Sequence, residues 1–543
     1  CTHQPASPVA GVEAVIASMS GNPGDQVLLQ AMVSDVAVGG VIMTFDLVHG
    51  APYYCVDFDD ESGRTDGVTS GSGVHKSVFV YRDAPEGSVR SPRVALFIQL
   101  ARELEALCDC AALDIEFGLT RAGELVLFQV RRIVLARNWH PVTERRVKRQ
   151  VAHVAGFIDA YSRRRQGMLG QRTILAIMPD WNPAEIIGTT PRPLAASLYS
   201  ELVTRGVWCR ARAALGYRQL GDTELMLLIN NHPYVDVRAS FNSFLPAGLA
   251  DATGEKLVDA WLDRLQASPE FHDKVEFEIV PTCLDFCFAQ DFPQRYPGLL
   301  SDGEFRAYRQ ALTDLTRECL DPGPQGSLQR AIDRAAKLDA LQAPAGAREP
   351  AYTLLDRASW LLERCREDGT FSFAIAARHA FIAEALLRSA VRRGALAAAR
   401  LQEFKRGIRT VTGRMLHEFA LVCAGELPKQ DFYRRYGHLR PRTYEITWLR
   451  YDERDDLFTG AMPATGTHGA DAFALTAAES DALQRLLAEA GLDKVTPQRL
   501  MEYAARAIAA REDVKFTFTR VLSDALSLLH QWGEGHGLSR DDR

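Results

Sequence analysis

The 543 residues predict an α+β chain, with a strand-rich first quarter and then a long, mainly helical remainder. Three observations carry that expectation. Residues 112–133 alternate polar and apolar side chains at period two, the spacing of half-buried strands. Ahead of them, residues 27–33, 39–46 and 52–58 are short apolar runs separated by turn-forming residues. Beyond residue 350, apolar residues recur at three- and four-residue spacing, the stripe of helices that share a core.

In chain order, residues 8–20 read as a short amphipathic helix and residues 21–25 (GNPGD) as a loop. The small residues of 66–73 (DGVTSGSG), Ser70 and Gly71 among them, suit either a nest of backbone N–H groups for an anion or a plain connector. Residues 92–108 set Val94, Phe97, Ile98, Leu100, Leu104 and Leu107 at helical spacing. The next strand, Leu113 to Leu119, turns Asp114 and Glu116 to one face, with Ile115 and Phe117 on the other. Leu125 to Ile133 carries Gln129 and Arg131 at the same alternation, and residues 120–123 (TRAG) form a hairpin loop in which Gly123 takes positive φ. Asp114, Glu116, Gln129 and Arg131 thus share one sheet face. Hard oxygens hold Mg²⁺ and a guanidinium neutralises phosphate, so the four suit a metal–polyphosphate. They equally suit a half-polar hairpin whose charges pair with one another.

Residues 142–165 read as a basic amphipathic helix with a solvated charged face. Residues 174–185 read as a strand ending in D-W-N-P, followed by T-T-P-R-P-L and a helix over 195–205. Residues 234–241 read as a further strand with Asp236 and Arg238 on one face. Asn182, Arg192 and Arg238 are candidate pocket residues, the alternative being that Asn182 caps a turn and the arginines pair with Glu185 or Asp236. Residues 255–345 are helical by pattern, and Cys283 and Cys287 pack. Residues 341–350 form a loop. One stripe runs through Phe371, Ile375, Ile382 and Leu386, and another through Leu401, Phe404, Ile408, Val411, Met415, Phe419 and Val422. Both predict long antiparallel core helices in which Arg378 and His379 are structural. Further helices are expected over 479–489 and 497–511, and residues 514–532 are apolar enough to be buried on several sides.

The net charge of −6 argues against a nucleic-acid surface. No run of about 18 apolar residues predicts a membrane span. The ten cysteines show no zinc-like spacing, and reduced thiols in a cytoplasmic protein are expected.

The DIEF of residues 114–117 and the LVLFQVRRI of 125–133 resemble the signature that closes the ATP-grasp domain of the pyruvate phosphate dikinase, phosphoenolpyruvate synthase and rifampin phosphotransferase superfamily. Arg132 stands where that family usually has proline. The succession VLLQAMV, GGVIMTFD, PYYCVDF and VTSGSG is similar to the second half of the same domain. The resemblance implies Mg²⁺–ATP as cofactor, with metal held by Glu116 and Gln129, phosphate steadied by Arg131 and the site oriented by Asp114. It also implies Gln30 and Met32 beside adenine, and Thr44, Ser70 and Gly71 toward the phosphates. N-P-A-E at 182–185 and T-P-R-P-L at 190–194 are similar to the opening of that family's substrate domain. F-Y-R-R-Y-G-H at 432–438 is similar to a segment near its end, with Leu439 in place of the usual arginine. That makes His438 and Glu445 candidates to meet substrate, or to pack between domains.

The organisation implied is the C-terminal part of an ATP-grasp domain (1–137), a mixed α/β first part of a substrate domain (138–345) and its helical part (346–543). The activity implied is phosphoryl transfer from ATP to a carrier histidine, and from it to pyruvate or another small-molecule acceptor. The first ATP-grasp half and the phosphohistidine domain are expected in a longer chain, since the sequence opens at Cys1. The G-T-H-G of 466–469 lacks the carrier-histidine pattern and reads as a loop. The alternatives are an ATP-grasp ligase without phosphohistidine, and a degenerate, non-catalytic nucleotide-binding or scaffold protein.

Overall fold

The computed structural model describes residues 8–19, 35–60, 76–85, 87–135, 140–342, 353–459 and 473–542, with 21, 22, 24–27, 29 and 33. The chain is α+β and mainly helical, and it divides into two compact units, residues 1–155 and 156–543. The single division means that the expected segments 138–345 and 346–543 share one unit, because their side chains build one core running from Leu169 to Val514.

The first unit is a five-stranded antiparallel sheet: β1 (Val36–Met43), β2 (Tyr53–Asp59), β3 (Lys76–Tyr81), β4 (Leu113–Thr120) and β5 (Leu125–Arg132), in the order β3-β2-β1-β4-β5. Helix Pro92–Leu107 covers one face. Its start is set by Ser91, whose side chain accepts from the Val94 amide, and by Pro92 in the first turn, where no amide partner is needed. Val94, Phe97, Ile98, Ala101 and Leu104 face inward and meet Val38, Ile42, Tyr54, Val56, Ile115 and Phe117. The opposite face keeps Asp114 and Glu116 half-buried, as period-two alternation requires. The β4–β5 turn is closed by Gly123 at φ 85°, whose amide donates to Thr120 O at 3.0 Å.

Gly40 lies under Phe117. A Cβ there would stand 2.7 Å from the Phe117 ring and 2.9 Å from Asp57 O. Gly40→Ala is therefore expected to destabilise the first unit by about 1–3 kcal/mol through overpacking. Faster amide exchange in β1 and β4 checks this, and unchanged protection would contradict it.

The second unit carries a small antiparallel sheet, β6 (Leu175–Ala176), β7 (Met226–Ile229) and β8 (His232–Asp236), in the order β6-β8-β7. The rest is helical. The two long helices, Phe371–Arg392 and Pro497–Glu534, contribute many of its buried side chains. By length and hydropathy Leu354–Arg392 passes for a membrane span, but most of its apolar 18-residue stretch is buried inside the unit. The helix expected over 497–511 continues without a break to Glu534, taking in the apolar stretch after it. The stripe from Leu401 to Val422 is instead two helices, Ala398–Gly407 and Val411–Cys423, because the Thr410 side chain caps the second by accepting from the Gly413 amide at 3.2 Å.

Two other expectations need correction. Residues 234–241 are not one strand: β8 stops at Asp236, whose carboxylate accepts from the Ala239 amide at 3.2 Å and starts helix Val237–Asn242. Residues 174–185 give the two-residue β6, the start of a short helix, Pro183–Ile187, and between them a turn in which Asp180 (φ 63°) and Asn182 (φ 42°) are left-handed. Asp and Asn are the side chains that tolerate this conformation.

Candidate functional site

Strand register sets the open face of the first sheet in rows. Glu116 pairs across β4–β5 with Gln129 and across β1–β4 with Val41, which in turn faces Asp57. The next row on that face joins Cys55, Met43, Asp114 and Arg131. A bulge beyond Glu116 re-aims β5 at Phe128, so the polar alternation of Gln129 and Arg131 matches that of β4. The four residues grouped from the sequence are brought together.

Their charges are arranged around Arg131. Its Nη2 donates to Asp114 Oδ2 at 2.9 Å and to Glu116 Oε1 at 3.3 Å. Arg131 is 55% exposed, and the carboxylates only 19% and 26%. Asp114 Oδ1 is buried and has no hydrogen-bond partner. A buried carboxylate oxygen without a partner is costly unless something else meets it. Among the described residues no group of three His, Cys, Asp or Glu is arranged to hold a metal. Mg²⁺ does not require one, since it usually takes one or two carboxylates and completes its shell with water and phosphate oxygens. The orphaned Oδ1 and the oxygen-bearing Glu116 and Gln129 fit that pattern.

Thr44 departs from its expected role. It is fully buried, and its hydroxyl donates to Ala111 O at 2.7 Å and accepts from the Leu113 amide at 2.7 Å. It ties the end of β1 to the start of β4, and its one proton is used in doing so. Gln30, Met32, Ser70, Gly71 and the 466–469 segment lie outside the described residues.

The candidate substrate residues of the second unit are engaged in the fold. Asn182 Nδ2 donates to Glu185 Oε2 at 3.2 Å. Arg192 donates to the backbone and side chain of Asp541, both at 3.0 Å, with Glu445 3.9 Å away. Arg238 is fully buried and donates to Arg163 O at 2.8 Å and Tyr161 O at 3.4 Å, satisfying carbonyls at the end of helix Pro141–Ser162. It serves that helix end instead of lining a pocket. His438 is buried with its ring edge-on to Phe516 at 4.7 Å, and its Nε2 lacks a partner. Burial, with repulsion from Arg520 and Arg450, pushes its pKa down to about 3. A buried packing role replaces substrate contact.

His379 is likewise held at about 3 by burial and Arg378. Both folded-state values lie below the unfolded value of about 6.5, so below that pH the unfolded chain binds more protons. Stability is present in full above about pH 6.5 and is expected to fall as pH drops toward 3, by roughly 1.4 kcal/mol per pH unit for each histidine. Urea midpoints of the native chain and of His438→Asn, compared between about pH 7 and 5, check the sign. Equal slopes would contradict the assignment.

Sequence reasoning missed the buried pair Asp180–Arg212 and the contact of Ser327 with His379, whose partners lie far apart in the chain. The turn-dense D-W-N stretch was the only local trace of the first, and the second had none. No protein-family model matches the chain, and no curated protein matches it.

Proposed function

We propose that the open face of β1, β4 and β5 binds the phosphates of a Mg²⁺–nucleotide, and that the chain belongs to an ATP-dependent phosphotransferase of the phosphoenolpyruvate synthase and dikinase type. The observation that carries the reading is the placement of Asp114, Glu116, Gln129 and Arg131 on adjacent register positions, with Asp114 Oδ1 left without a partner. The resemblance of DIEF and LVLFQVRRI supports the choice of ATP.

Glu116 and Gln129 would hold the metal and Asp114 would orient them. Bound Mg²⁺ would supply charge neutralisation at the phosphates. Arg131 is the residue that changes partner. In the structure it bridges both carboxylates; with a cation in the site, its exposed guanidinium would be free to meet a phosphate oxygen. Phosphoryl transfer of this kind rests on positioning and charge neutralisation. The phosphoryl group would pass to a carrier histidine and on to pyruvate or another small-molecule acceptor. Thr44 has no part in this set.

The test is titration of a fluorescent ATP analogue with Mg²⁺ against the native chain and Glu116→Gln. Loss of a charged ligand worth about 1.5–3 kcal/mol predicts affinity weaker by roughly tenfold or more. Equal affinity would remove the site assignment. No binding to the native chain would favour the scaffold reading, in which Arg131 permanently satisfies both carboxylates.

A further inference from the structure

Helix Pro141–Ser162 runs for 22 residues, and its apolar side chains join neither the core of the first sheet nor any core of the helical unit. Val151 is 44% exposed, Phe157 40% and Ile158 37%, with Val147, Val154 and Tyr161 half-buried. Phe157 and Tyr161 stack on one another with ring centres 5.5 Å apart, and the Tyr161 hydroxyl donates to Asp236 Oδ2 at 2.8 Å. A helix in water draws most of its stability from packing an apolar face. Here that face is formed and left uncovered.

Val147, Val151, Val154, Ile158 and Tyr161 succeed one another at intervals of four, three, four and three residues. That is the narrow seam of a two-helix coiled coil, with β-branched side chains at four of its five positions. A lipid interface is met by a broad face of Trp, Phe and Leu, whereas a seam of this width fits the side of one other helix. The charges leave it clear. Arg145, Arg146 and Arg149 fall away from the seam and are exposed. Lys148 is the one charge at a flanking position, and Asp83 at 2.6 Å and Glu144 at 3.1 Å hold it. Two copies of the seam therefore meet without opposing like charges. Glu144 continues the seam three residues before Val147, and three arginines, 163–165, follow its other end. A parallel pair would set Glu144 against Glu144. An antiparallel pair sets it beside the arginines of the other copy, at both ends.

We propose that helix Pro141–Ser162 is a dimerisation helix, pairing antiparallel with the same helix of a second copy of this chain. The contact is two-fold and self-complementary. Val151 of each copy packs against Val154 of the other near the axis, and Ile158 against Val147 farther out. The second copy is the occupant that the charges favour, because each helix carries at one end the charge that its other end needs.

The test is sedimentation equilibrium of the full chain between about 1 and 100 μM, where a dimer is expected to accumulate toward the upper end. Val151→Glu with Ile158→Glu puts carboxylates in the seam and should weaken association by roughly a hundredfold or more. Its urea midpoint should match that of the native chain, since neither side chain joins a core. Arg149→Glu, away from the seam, should leave the dimer as it is. Glu144→Arg should weaken it severalfold, and more so at low salt, by setting like charges at both ends. Unchanged association of Glu144→Arg would overturn the antiparallel arrangement. A native chain that stays monomeric, or a seam variant that dimerises as well as the native chain, would overturn the proposal. So would a monomer that sediments with phosphatidylserine vesicles and loses them in the seam variant, a result that gives the face to a lipid surface.

Discussion

Arg212→Ala is expected to remove about 3–5 kcal/mol from the stability of residues 156–543, because it strands a buried carboxylate. Arg212 Nη1 donates to Asp180 Oδ2 at 2.8 Å, with a second contact between Nη2 and Oδ1. The two side chains are only 6% and 3% exposed, so solvent does not take the place of a lost partner. Ser240 donates to Asp180 at 2.6 Å, and the guanidinium lies 4.0 Å above Phe244. Truncation removes the cation and the stacking surface together and leaves Asp180 with one hydroxyl. The double variant Asp180→Asn with Arg212→Met is expected to recover much of the loss, since the amide tolerates the left-handed backbone at this position and leaves no stranded charge. The two results together distinguish a stranded charge from a simple cavity. Tryptophan fluorescence in urea reads this unit, where six of the seven tryptophans lie. A shift under about 1 kcal/mol for Arg212→Ala, the range of an exposed pair, would refute the argument.

Phe97→Ala is expected to cost about 3–5 kcal/mol in the first unit, the range for deleting a buried aromatic ring. Phe97 is fully buried on the helix that covers the sheet, with ring centres 4.4 Å from Phe117 and 5.7 Å from Phe58. No second described helix packs into that core, so the cavity has few neighbours able to close it. Phe117 shares β4 with Asp114 and Glu116 on the opposite face. Loosening its packing should therefore weaken the proposed nucleotide binding along with stability. Amide exchange in β4 measures the first effect and the ATP-analogue titration the second. Retained β4 protection would mean that the sheet holds its register without the ring.

Much of the first unit was legible because strand geometry is local. Asp114 and Glu116 alternate with Ile115 and Phe117, and a pleated chain must send the two sets to opposite faces. The T-R-A-G loop then brings β5 back in a register that sets Gln129 and Arg131 beside them. Helix Pro92–Leu107 was legible from its spacing and its Ser91-Pro92 start. The second unit was less so. Asp236 reads as a strand residue by alternation but acts as a helix cap, and that depends on the Ala239 amide coming within reach. His438 sits in a polar stretch, R-R-Y-G-H-L-R, and is buried because Phe516, far along the chain, covers it.

The sequence by itself determined the partition into a sheet-bearing first part and a helical remainder, the β4–β5 hairpin, and the sharing of one face by Asp114, Glu116, Gln129 and Arg131. These follow from periodicity and turn chemistry, which act over a few residues. Only the tertiary structure decided that Arg131 bridges both carboxylates and that Thr44 staples two strands. It alone buries Arg238 against a helix end and joins Ser327, His379 and Tyr503 through hydrogen bonds. Each of these rests on hydrogen-bond partners or burial set by side chains brought together from distant segments or neighbouring strands, and packing, not local pattern, chooses among such partners.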